Sequence, residues 1–334
     1  MASELVYLPK LPRGADPKTL LIYDRRLLKS WGPWIRRYPL SYGVKSGEEL
    51  KDLRHFPDHV AALLKKTSGV SPKELTVLAF GGGSVGDFAG FFASVFKRGV
   101  RFEQIPSTWL AALDSAHGGK TALNVDTVKN QIGTFYSASK VYLVKEVLRE
   151  LGPDRFHEAV AEAVKVALLD SEELSSRLRG LRKADQMWKF LPDLIQAKMK
   201  IVRHDPEEKK GLRHLLNLGH TMGHVIESEL GLAHGIAVGH GIRFAMEWSA
   251  RRHHFELSSW DVDLHGLIPS RPETARVLRR LRRIRPLLLQ DKKKSSGNRL
   301  RFIFLKAAGK PRIEDVSVDE ILGETERQID ELSL

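Results

Sequence analysis

Along the first 150 residues, short apolar runs alternate with stretches of helical periodicity. Leu20-Leu21-Ile22-Tyr23 reads as a buried strand, and residues 48–66 repeat their apolar positions at helical spacing. Thr76-Val77-Leu78-Ala79-Phe80 is a further strand that runs directly into Gly81-Gly82-Gly83, and Val141-Tyr142-Leu143-Val144 closes the series. From about Gly152 the texture changes to helix after helix, with breaks predicted at Pro192, Pro206, Gly231 and Pro269. One β-like segment, residues 300–305 after a Ser-Ser-Gly turn, is the exception. The pattern predicts an α/β domain over residues 1–150 followed by an all-α domain over residues 151–334, with no internal repeat.

Composition narrows this picture. With 42% apolar residues, the 334-residue chain can bury cores for two domains. Its apolar runs are broken by Lys, Arg or Gly well short of the roughly 18–20 residues a bilayer span needs, and its N-terminus shows no signal-peptide stretch. The expectation is a cytoplasmic protein with no membrane partner. The absence of cysteine excludes disulfides, thiolate metal sites and cysteine nucleophiles, so any metal must sit on histidine and carboxylate. The net charge of +13 is uneven: ten of the twenty-four residues 271–294 are Lys or Arg, above Val277, Leu278, Leu281, Ile284 and Leu288 near helical spacing. That stretch reads as a docked helix with a solvated basic face. It lacks aromatic interleaving and any nucleic-acid module, so no nucleic-acid partner is expected.

Three segments carry candidate chemistry. In Gly81-Gly82-Gly83-Ser84-Val85-Gly86-Asp87, glycines follow a strand and open a helix, which lets a pyrophosphate approach the backbone, although the spacing departs from G-x-G-x-x-G. Asp114-Ser115-Ala116-His117-Gly118-Gly119-Lys120-Thr121 echoes a Walker A loop but has Asp114 where the first glycine should stand. Its Gly-Gly-Lys still sets an ammonium in a tight turn, suited to gripping phosphate or carboxylate, and Lys129-Asn130 follows. Third, six of the thirteen histidines fall between His204 and His240. His220 and His224 are one helical turn apart, which is ligand-competent geometry; spacing alone does not choose between His224 and His234 as the partner of His220. Glu162, a possible carboxylate ligand, and Lys165 project from the same face of a small, apolar helix.

Together these residues resemble the 3-dehydroquinate synthase family, within the sugar phosphate cyclases that are related in fold to the iron-containing and glycerol dehydrogenases. The resemblance runs from about residue 47 to 305 and rests on GGGSVGDFAGF, KRGVRFEQIPST, DSAHGGKTALN with KN after it, AEAVK, and GLRHLLNLGHTMGH with AHG downstream. It implies that the first domain is nucleotide-binding and the second binds metal and substrate. It further implies NAD and Zn2+ or Co2+ as cofactors, a homodimer, and a phosphorylated sugar acid, 3-deoxy-D-arabino-heptulosonate 7-phosphate, as substrate. The product would be 3-dehydroquinate, formed in the shikimate pathway by a phosphorus–oxygen lyase that uses NAD transiently. By position, Glu162, His220 and His234 match the metal ligands, and His224 matches a non-ligand active-site histidine. Lys120, Asn130, Lys165, Lys198, Arg213 and Asn217 match substrate contacts, and Asp114 matches an active-site acid. Arg98 matches an arginine that reaches the partner subunit's site, and Lys292 or Lys293 a late active-site lysine. Glu48, Lys51, Gly82, Gly83, Asp87 and Thr108, with Asp114, Lys120, Lys129 and additionally Asp24, match the NAD side.

The chain departs from the family pattern at Val160, at His117, at Ile236 two residues past His234, and in a turn between Asp205 and Gly211 that is one residue longer. None of these replaces a matched ligand. Two other enzymes fit much of the same pattern: another sugar phosphate cyclase, and a metal-dependent NAD polyol dehydrogenase. Arg213 and Asn217, one turn apart, favour a substrate carboxylate, and the lysine-rich site argues against a simple dehydrogenase.

Overall fold

The computed structural model describes residues 3–126, 128–257, 266–290, 294–296 and 298–331. The chain folds as two compact units, Met1–Gly152 and Pro153–Leu334. The first is built on a parallel sheet of β1 (Glu4–Leu8), β2 (Thr19–Asp24), β3 (Leu40–Val44), β4 (Thr76–Gly81), β5 (Arg101–Pro106) and β8 (Lys140–Val144), in the order β1-β8-β5-β4-β2-β3. Leu20, Leu21 and Ile22 of β2 and Val77 and Phe80 of β4 are fully buried, as central strands of a parallel sheet covered on both faces must be. The chain steps outward from β2 to β3, then from β4 through β5 to β8 on the other side. That reversal leaves a crevice at the carboxyl ends of β2 and β4, where open α/β sheets bind ligands. The Gly81-Gly82-Gly83 turn sits at one of those two ends and Asp24 at the other. A two-stranded antiparallel hairpin, β6 (Lys120–Val125) and β7 (Val128–Phe135), completes the unit.

The helix expected over residues 48–66 is divided. Glu48–Lys51 and Leu53–His55 are single 3-10 turns, and the α-helix runs only from Phe56 to Lys66. The cause is local: the Asp52 carboxylate accepts the Arg54 backbone N–H and caps a new turn, while Pro57 suits the first turn of the helix that follows.

The second unit is mainly helical, with helices Pro153–Asp170, Ala184–His204, His220–Leu230, His234–His253, Arg271–Leu278, Ile284–Gln290 and Val318–Asp330. It is not all-α. Three strands, β9 (Lys294–Ser296), β10 (Arg299–Ala307) and β11 (Lys310–Ser317), form an antiparallel sheet that the sequence pattern showed only as its central strand. Its central strand is buried on both faces from Phe302 to Leu305, and Trp248 of the His234–His253 helix packs on Phe302 and Phe304 with ring centroids 4.8 and 5.0 Å apart. The break expected at Pro192 is likewise absent, because the Ala184–His204 helix runs through it. Met187, Leu191, Leu194 and Ile195 are buried around that proline, and burial of this face outweighs the roughly 3 kcal/mol that an interior proline costs.

His240 gives this unit a pH dependence. Its buried ring shares a 3.0 Å hydrogen bond with Thr274, and burial pushes its pKa down to about 4. The unfolded chain takes up that proton near pH 6.5, whereas the folded chain resists until about pH 4. The contribution is therefore complete above pH 6.5 and is lost on acidification to about pH 4, amounting to about 3 kcal/mol. Urea unfolding at pH 7 and pH 4 should show a smaller acid loss for His240→Gln than for the parent, and equal losses would rule this origin out.

Candidate active site

The Pro153–Asp170 helix presents alanines and valines on nearly every side and is buried almost all round. Gly235 lies so close to it that an added Cβ would stand 1.6 Å from the Glu158 carbonyl oxygen. This approach brings His234, the first residue of its helix, beside Glu162, one turn on from Glu158. Gly241 does the same for the other ligand: its Cβ would stand 1.9 Å from the Gly219 carbonyl, which anchors the start of the His220–Leu230 helix. Gly235→Ala should consequently lower stability by about 2–3 kcal/mol and reduce metal content together, because the clash is with backbone. Unchanged melting and metal content would contradict that packing argument.

Glu162, His220 and His234 thus converge, one ligand-type atom from each lying within 4.8 Å of the others. Glu162 Oε1 is 3.4 Å from His220 Nε2 and 3.8 Å from His234 Nε2. Ligands about 2.0–2.1 Å from a tetrahedral ion stand about 3.3 Å apart, so little movement is needed to share one. The Glu162 carboxylate is 2% exposed and neither oxygen accepts a hydrogen bond, although the Lys165 ammonium forms an ion pair with it. A buried carboxylate with one oxygen paired to an ammonium and the other, Oε1, turned to two imidazole nitrogens without accepting a hydrogen bond, fits a divalent cation. His220 Nδ1 bonds the Leu218 carbonyl at 3.2 Å, and His234 Nδ1 bonds Glu227 at 2.8 Å, which leaves both Nε2 atoms for the centre. Burial lowers the His234 pKa, but its bond to Glu227 and the Glu162 charge outweigh that and raise it overall. His224, the alternative that spacing left open, is exposed with its ring centroid 5.5 Å from His220 and 6.2 Å from His234, and is not one of the three.

Lys165 reaches this centre through its ion pair with Glu162. Lys165, Lys198 and Arg213 are all buried, on the Pro153–Asp170 helix, the Ala184–His204 helix and the 3-10 turn Leu212–Asn217, three elements packed on one another. The lengthened turn before Arg213 is held by Asp205, buried at its base, which accepts the backbone N–H of Lys210 at 2.9 Å and of Arg213 at 3.3 Å. Burial raises the Asp205 pKa, but these and further backbone bonds more than reverse that and hold it low. Arg213 Nη1 donates to the Pro206 carbonyl at 2.9 Å, and Asn217 lies beside His214 at the end of the same turn.

In the first unit, the Gly83–Val95 helix begins at the glycine turn with no side-chain cap and no acid in its first turn. Its free N–H groups and positive dipole end suit an anion. Thr108 stands against Gly82, and Ser115 against Gly83. Asp114 precedes Ser115 in Ala111–Ser115, a single π-helical turn of a kind frequent at functional sites. Lys51, 4% exposed, donates to Asp87 Oδ2 and to Asn130 Oδ1, each at 2.6 Å. Glu48 accepts from the Asn124 amide at 2.8 Å, and Asn124 in turn accepts the Asn130 N–H at 2.8 Å. Glu48, Lys51 and Asp87, matched to the cofactor, therefore form one polar cluster with Asn130, matched to substrate. Burial pushes the Asp87 carboxyl above its ordinary value against the pull of Lys51.

Asp24, the additional candidate, is paired with Arg26 through 2.8 and 3.0 Å bonds. Lys120 and Lys129 are exposed on the hairpin. Arg98 is exposed in the turn Lys97-Arg98-Gly99, where all three residues have positive φ (50°, 69° and 108°). Lys292 and Lys293 lie outside the described residues. Sequence reasoning missed Glu227; its signal was the i, i+4, i+7 spacing of His220, His224 and Glu227 along one helix face. The basic stretch is partly neutralised within its own unit, Arg283 pairing with Glu229, Arg285 with Asp319 and Arg271 with Glu247.

Comparison with known proteins places the chain. Family models described as 3-dehydroquinate synthase N-terminal and 3-dehydroquinate synthase C-terminal match residues 41–158 and 159–294. A bifunctional shikimate kinase/3-dehydroquinate synthase of Thermotoga maritima is 35% identical over 312 residues, which are 90% of this chain and 60% of that protein. The chain thus spans about three fifths of the length of that relative. A 3-dehydroquinate synthase of Acidithiobacillus ferrooxidans is 33% identical over 92% of this chain and 87% of its own. In fold the chain is similar to 2-epi-5-epi-valiolone synthase from Streptomyces hygroscopicus, solved with NAD+ and Zn2+ bound (TM-score 0.82, 22% identity, 100% of this chain and 97% of that one). It is more distantly similar to an iron-containing alcohol dehydrogenase from Thermotoga maritima (TM-score 0.55, 15% identity, 99% and 98%). By these matches, spanning both of its units, the chain belongs to the 3-dehydroquinate synthase family.

Proposed function

We propose that this protein is a 3-dehydroquinate synthase, a phosphorus–oxygen lyase that converts 3-deoxy-D-arabino-heptulosonate 7-phosphate to 3-dehydroquinate and phosphate. The observation that carries this reading is the buried Glu162 carboxylate, paired with Lys165 through one oxygen and facing two imidazoles with the other. Glu162, His220 and His234 would hold Zn2+ or Co2+, and Glu48, Lys51, Gly82, Gly83, Asp87 and Thr108 would hold NAD. Held there, the cation would supply Lewis-acid polarisation of a substrate oxygen, and NAD would supply reversible hydride acceptance.

The side chains supply binding and orientation. Arg213 and Asn217, set by the Asp205-anchored turn, take the substrate carboxylate, and a guanidinium fork is well matched to that group. Lys165 and Lys198 hold phosphate and hydroxyl oxygens as point charges, in surroundings dry enough to strengthen each contact. Asp114, Lys120, Lys129, Asn130 and His224 are assigned by position to the remaining cofactor and substrate contacts, with His224 suited to moving a proton. We assign a homodimer, supported by Val95, Val128, Ile132 and Phe135 standing exposed and by Arg98 projecting from a strained turn. No helix among the described residues is long and apolar enough to cross a membrane, which accords with a cytoplasmic enzyme.

The test is to incubate the protein with the heptulosonate phosphate, NAD and Zn2+. Phosphate should be released in step with 3-dehydroquinate while NADH stays flat. Steady NADH accumulation would identify a polyol dehydrogenase instead, and turnover of a sugar phosphate lacking a carboxylate, in preference to this substrate, would identify a different cyclase.

A further inference from the structure

Glu227 belongs to none of the matched motif positions. It lies seven residues beyond His220 on the His220–Leu230 helix, so the two side chains share a face about 10 Å apart along the axis. Its Oε2 accepts from His234 Nδ1 at 2.8 Å, across to the first residue of the next helix. The opposite ring nitrogen of His234 faces Glu162 Oε1 at 3.8 Å. A carboxylate can only accept here, so Nδ1 must carry the hydrogen and the Nε2 lone pair is left directed at Glu162 and His220.

We infer that Glu227 is the positioning residue of the metal centre, fixing the tautomer and ring orientation of His234 and raising its basicity towards a divalent cation. The inference rests on the reading of Glu162, His220 and His234 as ligands. His234 needs this support more than its partner does. Its side chain is 34% exposed against 12% for His220, and it stands at a helix start where a ring can swing, while His220 is held by the backbone carbonyl of Leu218. The same helix therefore carries one ligand and the group that orients the other. Glu227 also places a second negative charge across the His234 ring from Glu162, which favours a dication.

The alternative is that the Glu227–His234 contact only ties two helices together. The two roles separate in metal affinity, measured by chelator competition with Zn2+ on the purified full chain, and in the visible absorption of the Co2+-loaded protein. Glu227→Ala should weaken Zn2+ binding about 10–100-fold and alter the Co2+ spectrum. Glu227→Gln, whose amide oxygen still accepts from Nδ1, should retain most of the affinity, and both variants should melt close to the parent. Parent-like affinity and spectrum for Glu227→Ala would overturn the assignment, as would equal losses for Gln and Ala accompanied by lowered melting. If the parent itself bound no Zn2+, the ligand reading would fall and this inference with it, an outcome distinct from a metal-binding parent that is indifferent to residue 227.

Discussion

His220→Ala should lose its divalent metal and at least about a thousandfold in kcat/KM. A cation acting as Lewis acid supplies several kcal/mol of charge stabilisation, and each 1.4 kcal/mol is worth a factor of ten in rate. His220 is the cleanest of the three ligands to remove. Loss of Glu162 would leave the Lys165 ammonium buried without its counter-charge and so mix stability with chemistry, and loss of His234 would also remove the contact to Glu227. His220 Nδ1 bonds to a backbone carbonyl two residues away, and the fold should survive its truncation. Metal analysis beside steady-state kinetics reads both effects. A variant that keeps a full metal complement, or that turns over normally without metal, would remove His220 from the centre.

The second large effect is expected at Lys51. Its ammonium is 4% exposed and bonds to both Asp87 and Asn130, so Lys51→Met strands a carboxyl that burial already disfavours as an anion. Breaking a buried pair from one side costs about 3–5 kcal/mol; Asp87, with 22% of its side chain exposed, points to the lower end. Melting should fall by roughly 6–12 °C at about 2–4 °C per kcal/mol, and NAD binding should weaken with it. Lys51→Met with Asp87→Leu should recover much of the stability but none of the NAD affinity. A double variant no more stable than the single would place the cost elsewhere than in the stranded carboxyl.

What the sequence made legible follows from how local each cause is. The buried strands at Leu20-Leu21-Ile22-Tyr23 and Thr76-Val77-Leu78-Ala79-Phe80 announce themselves because strands covered on both faces are apolar without interruption. Gly231 ends its helix as predicted because the C-cap needs a left-handed residue, and it has φ 65°. The three residues of the metal cluster were legible through the family resemblance, but only partly through residue spacing. His220 and Glu162 stood out by pattern, but the choice of His234 over His224 depends on Gly235 and Gly241 letting three helices approach closely, which no spacing rule contains. Pro192 breaks no helix because burial of the surrounding face offsets the proline's local cost, a balance that local sequence does not display. β11 was invisible for the opposite reason: Lys310-Pro311-Arg312-Ile313-Glu314-Asp315 is polar and carries a proline, and only pairing with β10, Ile303 opposite Ile313, makes it a strand. The all-α expectation failed there. Glu227 escaped because its role lies in the atom it touches, not in its own motif.

The central claim is that one divalent cation sits on Glu162, His220 and His234. Anomalous scattering at the zinc edge from crystals grown with Zn2+ tests it directly. One peak should appear about 2.0–2.2 Å from a Glu162 oxygen and from the Nε2 atoms of both histidines. A peak bound through His224 in place of His234, or no peak within reach of Glu162, would contradict it.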